Sequence, residues 1–293
     1  MLKNKIFIYL FTFHFALLGC SNILDEFAKK DTDEALLFEA KKNMNDSQWN
    51  LAIANFNDMS ADFLAKREVK LQHAKAYAGR CGLDLLQLFE DLSTNLATGR
   101  LYPLLMSAFT GATTTNADDC AQAEALILSI STAPGSRTTE ENTTLAFISF
   151  AKMGAIFAAF ADEGTADGIT DTDFDACQNN TTPGISETYV REIGIGLALA
   201  SNSLAAAVSG GGLSGADELS SVQDACTALA ALGATYNFCD ETDPAALTAN
   251  QVKAIRWTMM DNQNIGLGGA NTCNIAQTAA SPAASFCPLQ CVP

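Results

Sequence analysis

An acidic stretch at residues 162–175, DEGTADGITDTDFD, holds the side chains best suited to binding a metal ion. It has six carboxylates in fourteen residues, and calcium takes six to eight oxygen ligands. Carboxylates near a glycine turn are therefore candidate calcium ligands, and the four candidates are Asp167, Asp171, Asp173 and Asp175. The spacing does not fit an EF-hand, because Thr165 and Phe174 fall at positions where that loop needs ligands. A solvated acidic loop without metal is the alternative interpretation.

Nine cysteines form the second set of reactive side chains. They include no C-x-x-C pair, and His14 and His73 are the only histidines, so we expect no cysteine-based zinc site. Disulfides are the expected use of thiols in an exported chain, and an even number can pair completely. With Cys20 set aside for the reason given below, the disulfide candidates are Cys81, Cys120, Cys177, Cys226, Cys239, Cys273, Cys287 and Cys291. Pairing of sequence neighbours predicts Cys81 with Cys120, Cys239 with Cys273, and Cys287 with Cys291.

Nucleophilic chemistry has weak support in the sequence. Ser149 and Lys152 have the S-x-x-K spacing of serine acyltransferases, but no K-T-G segment accompanies them and they lie within an apolar helical segment. His73 has no second histidine near it with which to form a catalytic or metal site, and a packed histidine is the expected role. We therefore predict a protein that is not an enzyme and needs no cofactor, with calcium as the one exception considered.

Residues 1–19 have the form of a signal peptide. Lys3 and Lys5 supply positive charge, and the apolar run that follows is shorter than the ~20 residues of a membrane-spanning helix. Gly19 directly before Cys20, with Leu17 two positions earlier, resembles the lipobox of bacterial lipoproteins. An ordinary secretory signal is the alternative.

The lipoprotein resemblance implies an address for the chain. It implies cleavage before Cys20 and attachment of a diacylglycerol to the Cys20 sulfur. Ser21 and Asn22 lack the aspartate associated with retention at the inner membrane, so the expected location is the outer membrane, with the body in the periplasm or on the cell surface. Residues 20–32 are polar and suit a tether between the lipid and the folded body.

Net charge excludes one class of partner. The chain has a formal charge of −16, and residues 101–293 hold 5 basic and 20 acidic side chains. Such a surface repels phosphate backbones and anionic lipid headgroups. We therefore expect no nucleic-acid binding, and membrane contact only through the lipid anchor.

Helical periodicity dominates the elements that must position these groups, and the predicted fold class is all-α. Residues 33–98 indicate about four helices with short connections, which favours antiparallel helix hairpins. In this part, Asp46 or Ser47 is the expected cap before Trp49, and Gly82 the expected helix end.

The second half, residues 111–293, is predicted to be an acidic helical bundle braced by disulfides. Thr138 and Glu141 have capping-box spacing before a helix over 145–160 that is apolar nearly all round. Further helices are expected over 186–208 and 217–236, and from an Asp243 cap with Pro244 to about residue 260. Sustained strand-like alternation is missing from the sequence.

A repeat signal appears in the first half. Ala40 and Ala74 are 34 residues apart, the period of the tetratricopeptide repeat (TPR). In that register, the small and large apolar positions of a unit are occupied by Leu36, Ala40, Trp49, Ala52 and Phe56. The chain thus resembles TPR-bearing bacterial lipoproteins over residues 33–98, although Asn43, Lys70 and Leu86 depart from the pattern. The resemblance implies a TPR-like α-solenoid over 33–110, and an unrelated antiparallel bundle is the alternative.

These observations favour a non-catalytic, lipid-anchored helical scaffold that binds an envelope protein or peptide at the outer membrane, in envelope assembly or as an accessory to transport. The alternatives are a binding protein for a small apolar ligand, with the helices over 145–160 and 186–208 lining its pocket, and a calcium-binding surface adhesin.

Overall fold

The computed structural model describes residues 31–96, 99–179, 183–211, 220–261, 265–269, 273 and 291. The predicted signal peptide 1–19, the lipid-attachment residue Cys20, nearly all of the tether 20–32, and Cys287 lie outside these residues. The predicted all-α class is confirmed: the described residues form eleven α-helices and no strand, with one isolated bridge between Asp261 and Cys273.

The helices, in chain order, are α1 Asp33–Asn45, α2 Trp49–Asn57, α3 Ala61–Leu64, α4 Arg67–Cys81, α5 Leu85–Asn95, α6 Leu101–Ala108, α7 Thr114–Leu128, α8 Thr139–Ala161, α9 Glu187–Ser209, α10 Ser220–Ala231 and α11 Ala249–Met260. Short 3₁₀ turns lie at Pro134–Ser136 and Pro244–Ala246.

Two hydrophobic clusters organise these helices. The smaller, which we call the N-terminal core, is built on α1 to α4 from Ala40, Ala52, Ile53, Phe56, Met59, Phe63, Val69 and Ala76. The larger, which we call the main core, begins at Leu71 and extends to Cys291. Helix α4 contributes to both clusters, and Tyr77 packs against both. Because the main core holds residues on both sides of position 110, helices α4 to α6 pack with the later helices.

Helix α8 is the centre of the main core. It contacts α4, α6, α7 and α9, and nearly every side chain from Leu145 to Ala158 is buried. Gly154 permits the close contact with α6, since a Cβ there would lie 2.7 Å from the carbonyl oxygen of Leu105. The apolar pattern all round this segment is therefore explained by neighbours on every side.

Local capping signals had mixed outcomes. Thr138 and Glu141 form the predicted capping box at the start of α8, and Gly82 ends α4 with a φ of 104°. The predicted cap for α2 was wrong, because the N-cap position is Gln48, which makes no side-chain capping bond. The prediction of one helix from an Asp243 cap to about residue 260 was also wrong in its start.

Asp243 instead caps the 3₁₀ turn at Pro244–Ala246 through the amide of Ala245. Helix α11 begins later, at Ala249, where Thr248 and Gln251 form a complete capping box that satisfies the amides of the first turn.

Disulfides link distant parts of the main core. Cys81 pairs with Cys120, as sequence proximity predicted, and joins α4 to α7. The other predicted pairs were wrong, because Cys239 pairs with Cys226 and Cys291 pairs with Cys177. Cys239 lies a short turn beyond α10 and folds back onto it, while the fold brings the end of the chain to the connection between α8 and α9. Cys273 is also in a disulfide.

Two helices, α8 and α9, are long and apolar enough to cross a membrane. In the fold, 89% of the apolar window of α8 and 67% of that of α9 are buried against the rest of the protein. That burial is typical of the core helices of a folded domain.

Candidate functional site

The acidic loop between α8 and α9 uses its carboxylates to hold its own backbone. Asp162, which is buried, accepts hydrogen bonds from the amides of Asp167 (3.0 Å) and Gly168 (2.8 Å). Asp171 accepts from the amide of Gly164 at 3.0 Å. Each bond satisfies an amide that the turns of the loop leave without a helical partner.

Two of the remaining candidate calcium ligands also accept hydrogen bonds from backbone amides, and the third is exposed to solvent. Asp167 accepts from the amide of Ile169, and Asp175 accepts from the amide of Cys177, whereas Asp173 is exposed. Among the described residues, no three His, Cys, Asp or Glu side chains converge to hold a metal ion. The four aspartates predicted from the sequence are thus not brought together as a calcium site.

An apolar groove opens on the N-terminal part of the protein. It has a volume of about 340 Å³ and lies where α1 ends and α2 begins, against α4 and the start of α5. We call it the Trp49 groove, and its apolar lining includes Met44, Trp49, Ala78, Leu83 and Leu85.

Close packing positions Trp49 in this groove. A Cβ added to Gly79 of α4 would lie 2.6 Å from three atoms of the Trp49 ring, so the ring rests directly on the α4 backbone. The ring is only partly buried, and its free surface forms a wall of the groove. Lys75, the charged residue of the groove lining, is paired with Glu140 at 2.6 Å, so among the described residues the lining itself has no unpaired charge.

Three large exposed apolar side chains lie on the helices that line the groove. Phe38 on α1 is 67% exposed, Leu51 on α2 is 55% exposed and Leu86 on α5 is 78% exposed. Leu86 directly follows the groove residue Leu85. A single exposed leucine is ordinary, whereas several large exposed apolar side chains on the helices that line one apolar groove are a feature of interaction surfaces.

A buried ionic cluster lies at the centre of the main core. The Lys152 ammonium of α8 donates to Glu124 of α7 and to Glu192 of α9, each at 2.7 Å. Its side chain is only 1% exposed. Ser149, one turn earlier on α8, donates to the other oxygen of Glu124 at 3.0 Å. Three helices therefore meet around one lysine.

The environment shifts the pKa values of this cluster. Burial opposes the charged form of Lys152, but Glu124 and Glu192 outweigh that effect and raise its pKa. Burial raises the pKa of Glu124, partly offset by Lys152. Ser149 is fully buried and bonded to a carboxylate, which supports a structural role for the S-x-x-K pair instead of acyl transfer.

A second cavity, which we call the Lys152 pocket, adjoins this cluster. It measures about 260 Å³ and is lined by residues of α7, α8 and α9 that include Asp118, Lys152, Ile156, Tyr189 and Glu192. The two helices that the sequence predicted to line an apolar pocket do border this cavity. Its lining nevertheless carries one positive group, Lys152, and two negative groups, Asp118 and Glu192, which sequence periodicity did not indicate.

His73 is a packed residue of α4. Its ring stacks on Phe56 with the centroids 4.7 Å apart and lies 5.1 Å from Tyr77. Its Nε2 is buried without a hydrogen-bond partner, and burial lowers the pKa of His73 to about 4. The imidazole is therefore neutral at physiological pH.

Comparison of the sequence and fold with protein-family models, curated proteins and solved structures finds no match.

Proposed function

We propose that the protein is a non-catalytic, lipid-anchored helical scaffold at the outer membrane. In this proposal Cys20 carries the lipid, and the folded body holds a peptide segment of another envelope protein in the Trp49 groove. The observation that carries the proposal is the combination of an open apolar groove with exposed Phe38, Leu51 and Leu86 on the helices that form it.

Burial of the small positions of the repeat supports the TPR-like part of the proposal. Ala40, Ala52 and Ala74, which hold the small positions of the repeat, have no exposed surface. Helix α1 packs on α2, and α2 packs on α4. Small side chains at such crossings let helices approach closely, and stacked helix pairs create the concave surfaces that bind peptides.

The groove also defines the chemistry of its occupant. Its lining is mainly apolar, and Lys75 at its rim already has Glu140 as a counter-charge. An incoming charged side chain would lose water without gaining a partner, which is unfavourable. We therefore propose an occupant that places an uncharged apolar side chain against Trp49, as in other grooves that take helical or extended peptides.

The test is a crosslinked pull-down from the native membrane, comparing wild type with Trp49→Ala. The matched control is Val208→Ala, which shortens an exposed apolar side chain on α9, outside the groove. Wild type and the control should recover one envelope protein in stoichiometric amount, and Trp49→Ala should lose it at a temperature at which circular dichroism shows the variant to be folded. Equal recovery by Trp49→Ala, or no stoichiometric partner, would contradict the proposal.

A fluorescence experiment then ties the partner to the groove. The chain has two tryptophans, so Trp257→Phe leaves Trp49 as the only reporter. A synthetic peptide from the crosslinked segment should shift the Trp49 emission in a saturable way. Separately, Cys20→Ala should leave the membrane fraction, and retention of an unacylated protein there would contradict the proposed anchor.

A further inference from the structure

Carboxylates outnumber cationic groups at the Lys152 pocket, where Glu124 is buried, Glu192 is partly buried and Asp118 is exposed. Lys152 supplies one positive charge, while Glu124, Glu192 and Asp118 are three carboxylates at or beside the cavity. Even with a proton on Glu124, the remaining groups keep a net negative charge.

Neighbouring charges do not correct this imbalance. Asp119, next to Asp118, is already neutralised by Arg80 at 2.6 Å. Glu187, at the start of α9, is paired at 2.6 Å with Arg191, one turn later on the same helix. The excess of carboxylates therefore gives the pocket a local negative potential, which a bound cation would offset.

Asp118 experiences this potential directly. Burial raises the pKa of its carboxyl, and the nearby carboxylates Asp119 and Glu192 raise it further. The same field that favours a proton on Asp118 favours any other cation at that position. Asp118 has no hydrogen-bond donor or cation partner among the described residues, so its carboxylate is available to a ligand.

Lys152 provides a second, independent sign of a ligand. An ammonium group has three donors, and Glu124 and Glu192 are the only two acceptors that the described part of the chain offers it. The side chain is buried and lines the cavity. Its third proton is therefore without a protein acceptor at a site where the fold leaves open space.

The walls complete a site for a small molecule. The ring of Tyr189 is fixed against Phe160, with the centroids 4.9 Å apart, and it borders the cavity. An aromatic face beside carboxylates attracts organic cations. Ser186, at the start of α9, adds a hydroxyl that makes no capping bond to its own helix. The volume of about 260 Å³ corresponds to about nine water molecules at ~30 Å³ each, enough for a short-chain compound.

From these observations we infer that the Lys152 pocket binds a small organic ammonium ion that also carries a hydrogen-bond acceptor. The ammonium contacts the carboxylates of Asp118 and Glu192 beside the Tyr189 ring, and the acceptor takes the third proton of Lys152. This site is separate from the Trp49 groove, and its function does not depend on the proposed peptide binding.

Three compounds of matched size test the inference: 4-amino-1-butanol as the cation, 1,4-butanediol as the uncharged match and 4-hydroxybutyrate as the anion. Isothermal titration calorimetry at constant ionic strength should detect saturable binding of the cation below about 10 mM and none of the other two. Equal binding of the diol or the anion, or no saturable binding of the cation, would overturn the inference.

Variants locate the binding. Asp118→Asn changes an exposed residue and should fold normally, yet weaken cation binding about tenfold, since a charge-assisted hydrogen bond is lost. Asp58→Asn, which removes the same charge from an exposed position after α2, should bind as wild type does. Glu192→Gln tests the other carboxylate: if its melting temperature matches that of wild type, its affinity for the cation should also fall. Unchanged affinity in Asp118→Asn would place the cation elsewhere and refute the site.

Discussion

The N-terminal core and the main core solve the problem of packing helices in opposite ways. The N-terminal core is small and apolar, holds no disulfide among its helices α1 to α3, and leaves large apolar side chains at the surface. The main core is large enough to bury Lys152 with Glu124, holds the partly exposed Glu192 against the same lysine, and is cross-linked by cystines. The two proposals therefore assign apolar recognition to one part of the chain and ionic recognition to another.

Breaking the Lys152 cluster should have the largest effect on this contrast. Lys152→Met leaves Glu124 buried without its counter-charge and should lower the free energy of unfolding by about 3 to 5 kcal/mol. Denaturant titration followed by circular dichroism measures this loss. Lys75→Met, which breaks the exposed pair with Glu140, is the matched control and should cost less than about 1 kcal/mol. Equal losses in the two variants would contradict the distinction between the regions.

Removing the link between α4 and α7 should have the next largest effect. The bridge closes a separation of 39 residues, so Cys81→Ser with Cys120→Ser should cost about 4 kcal/mol. The bridge between Cys226 and Cys239 closes only 13 residues, so the double variant Cys226→Ser with Cys239→Ser should cost about 3 kcal/mol. Calorimetric melting of both variants checks the order, and a reversed order would show that loop entropy does not govern these bridges.

Acid should selectively weaken the N-terminal core through His73. Its folded pKa of about 4 lies below the unfolded value of about 6.5, so the unfolded chain binds the proton more readily. The contribution of neutral His73 is complete above pH ~6.5 and is lost as pH falls towards 4. Wild type should lose about 2 to 3 kcal/mol more than His73→Phe between pH 7 and 4. Parallel pH profiles of the two proteins would exclude this role.

The smallest expected effect on stability comes from Gly79→Ala. A methyl group there must displace the Trp49 ring, but alanine favours the helix by about 1 kcal/mol over glycine, so the free energy of unfolding should change little. The emission of Trp49 in a Trp257→Phe background should nevertheless shift, and peptide binding should weaken. Gly135→Ala, at a position with open space around it, is the control that should leave both unchanged.

Local sequence signals predicted the fold well where neighbouring residues decide the structure. The capping box of Thr138 and Glu141 and the helix end at Gly82 involve residues within one turn, and both were confirmed. Pro244 misled because a first-turn proline suits a 3₁₀ turn as well as an α-helix. The TPR-like pairing and the lipid anchor stay predictions, and Cys20 lies outside the described residues.

Long-range features of the candidate sites were beyond the sequence patterns. Lys152 meets Glu124 and Glu192 across three helices, at separations of 28 and 40 residues that no periodicity indicates. One signal was present: Ser149 and Lys152 interrupt an apolar helix, and buried polar groups require partners. For the acidic loop, composition suggested a metal site that the geometry does not form. Composition alone does not reveal that carboxylates such as Asp162 accept hydrogen bonds from the loop's own backbone.

Helix α4 serves the N-terminal core on one face and the main core on the other, and the cystine at its last residue ties only the main core. If Cys20 is anchored as proposed, a pull from the membrane reaches α1 to α3 first, and those helices separate while the disulfide holds α4 in place. The N-terminal helices would then absorb the strain, and the cross-linked half of the protein would stay folded.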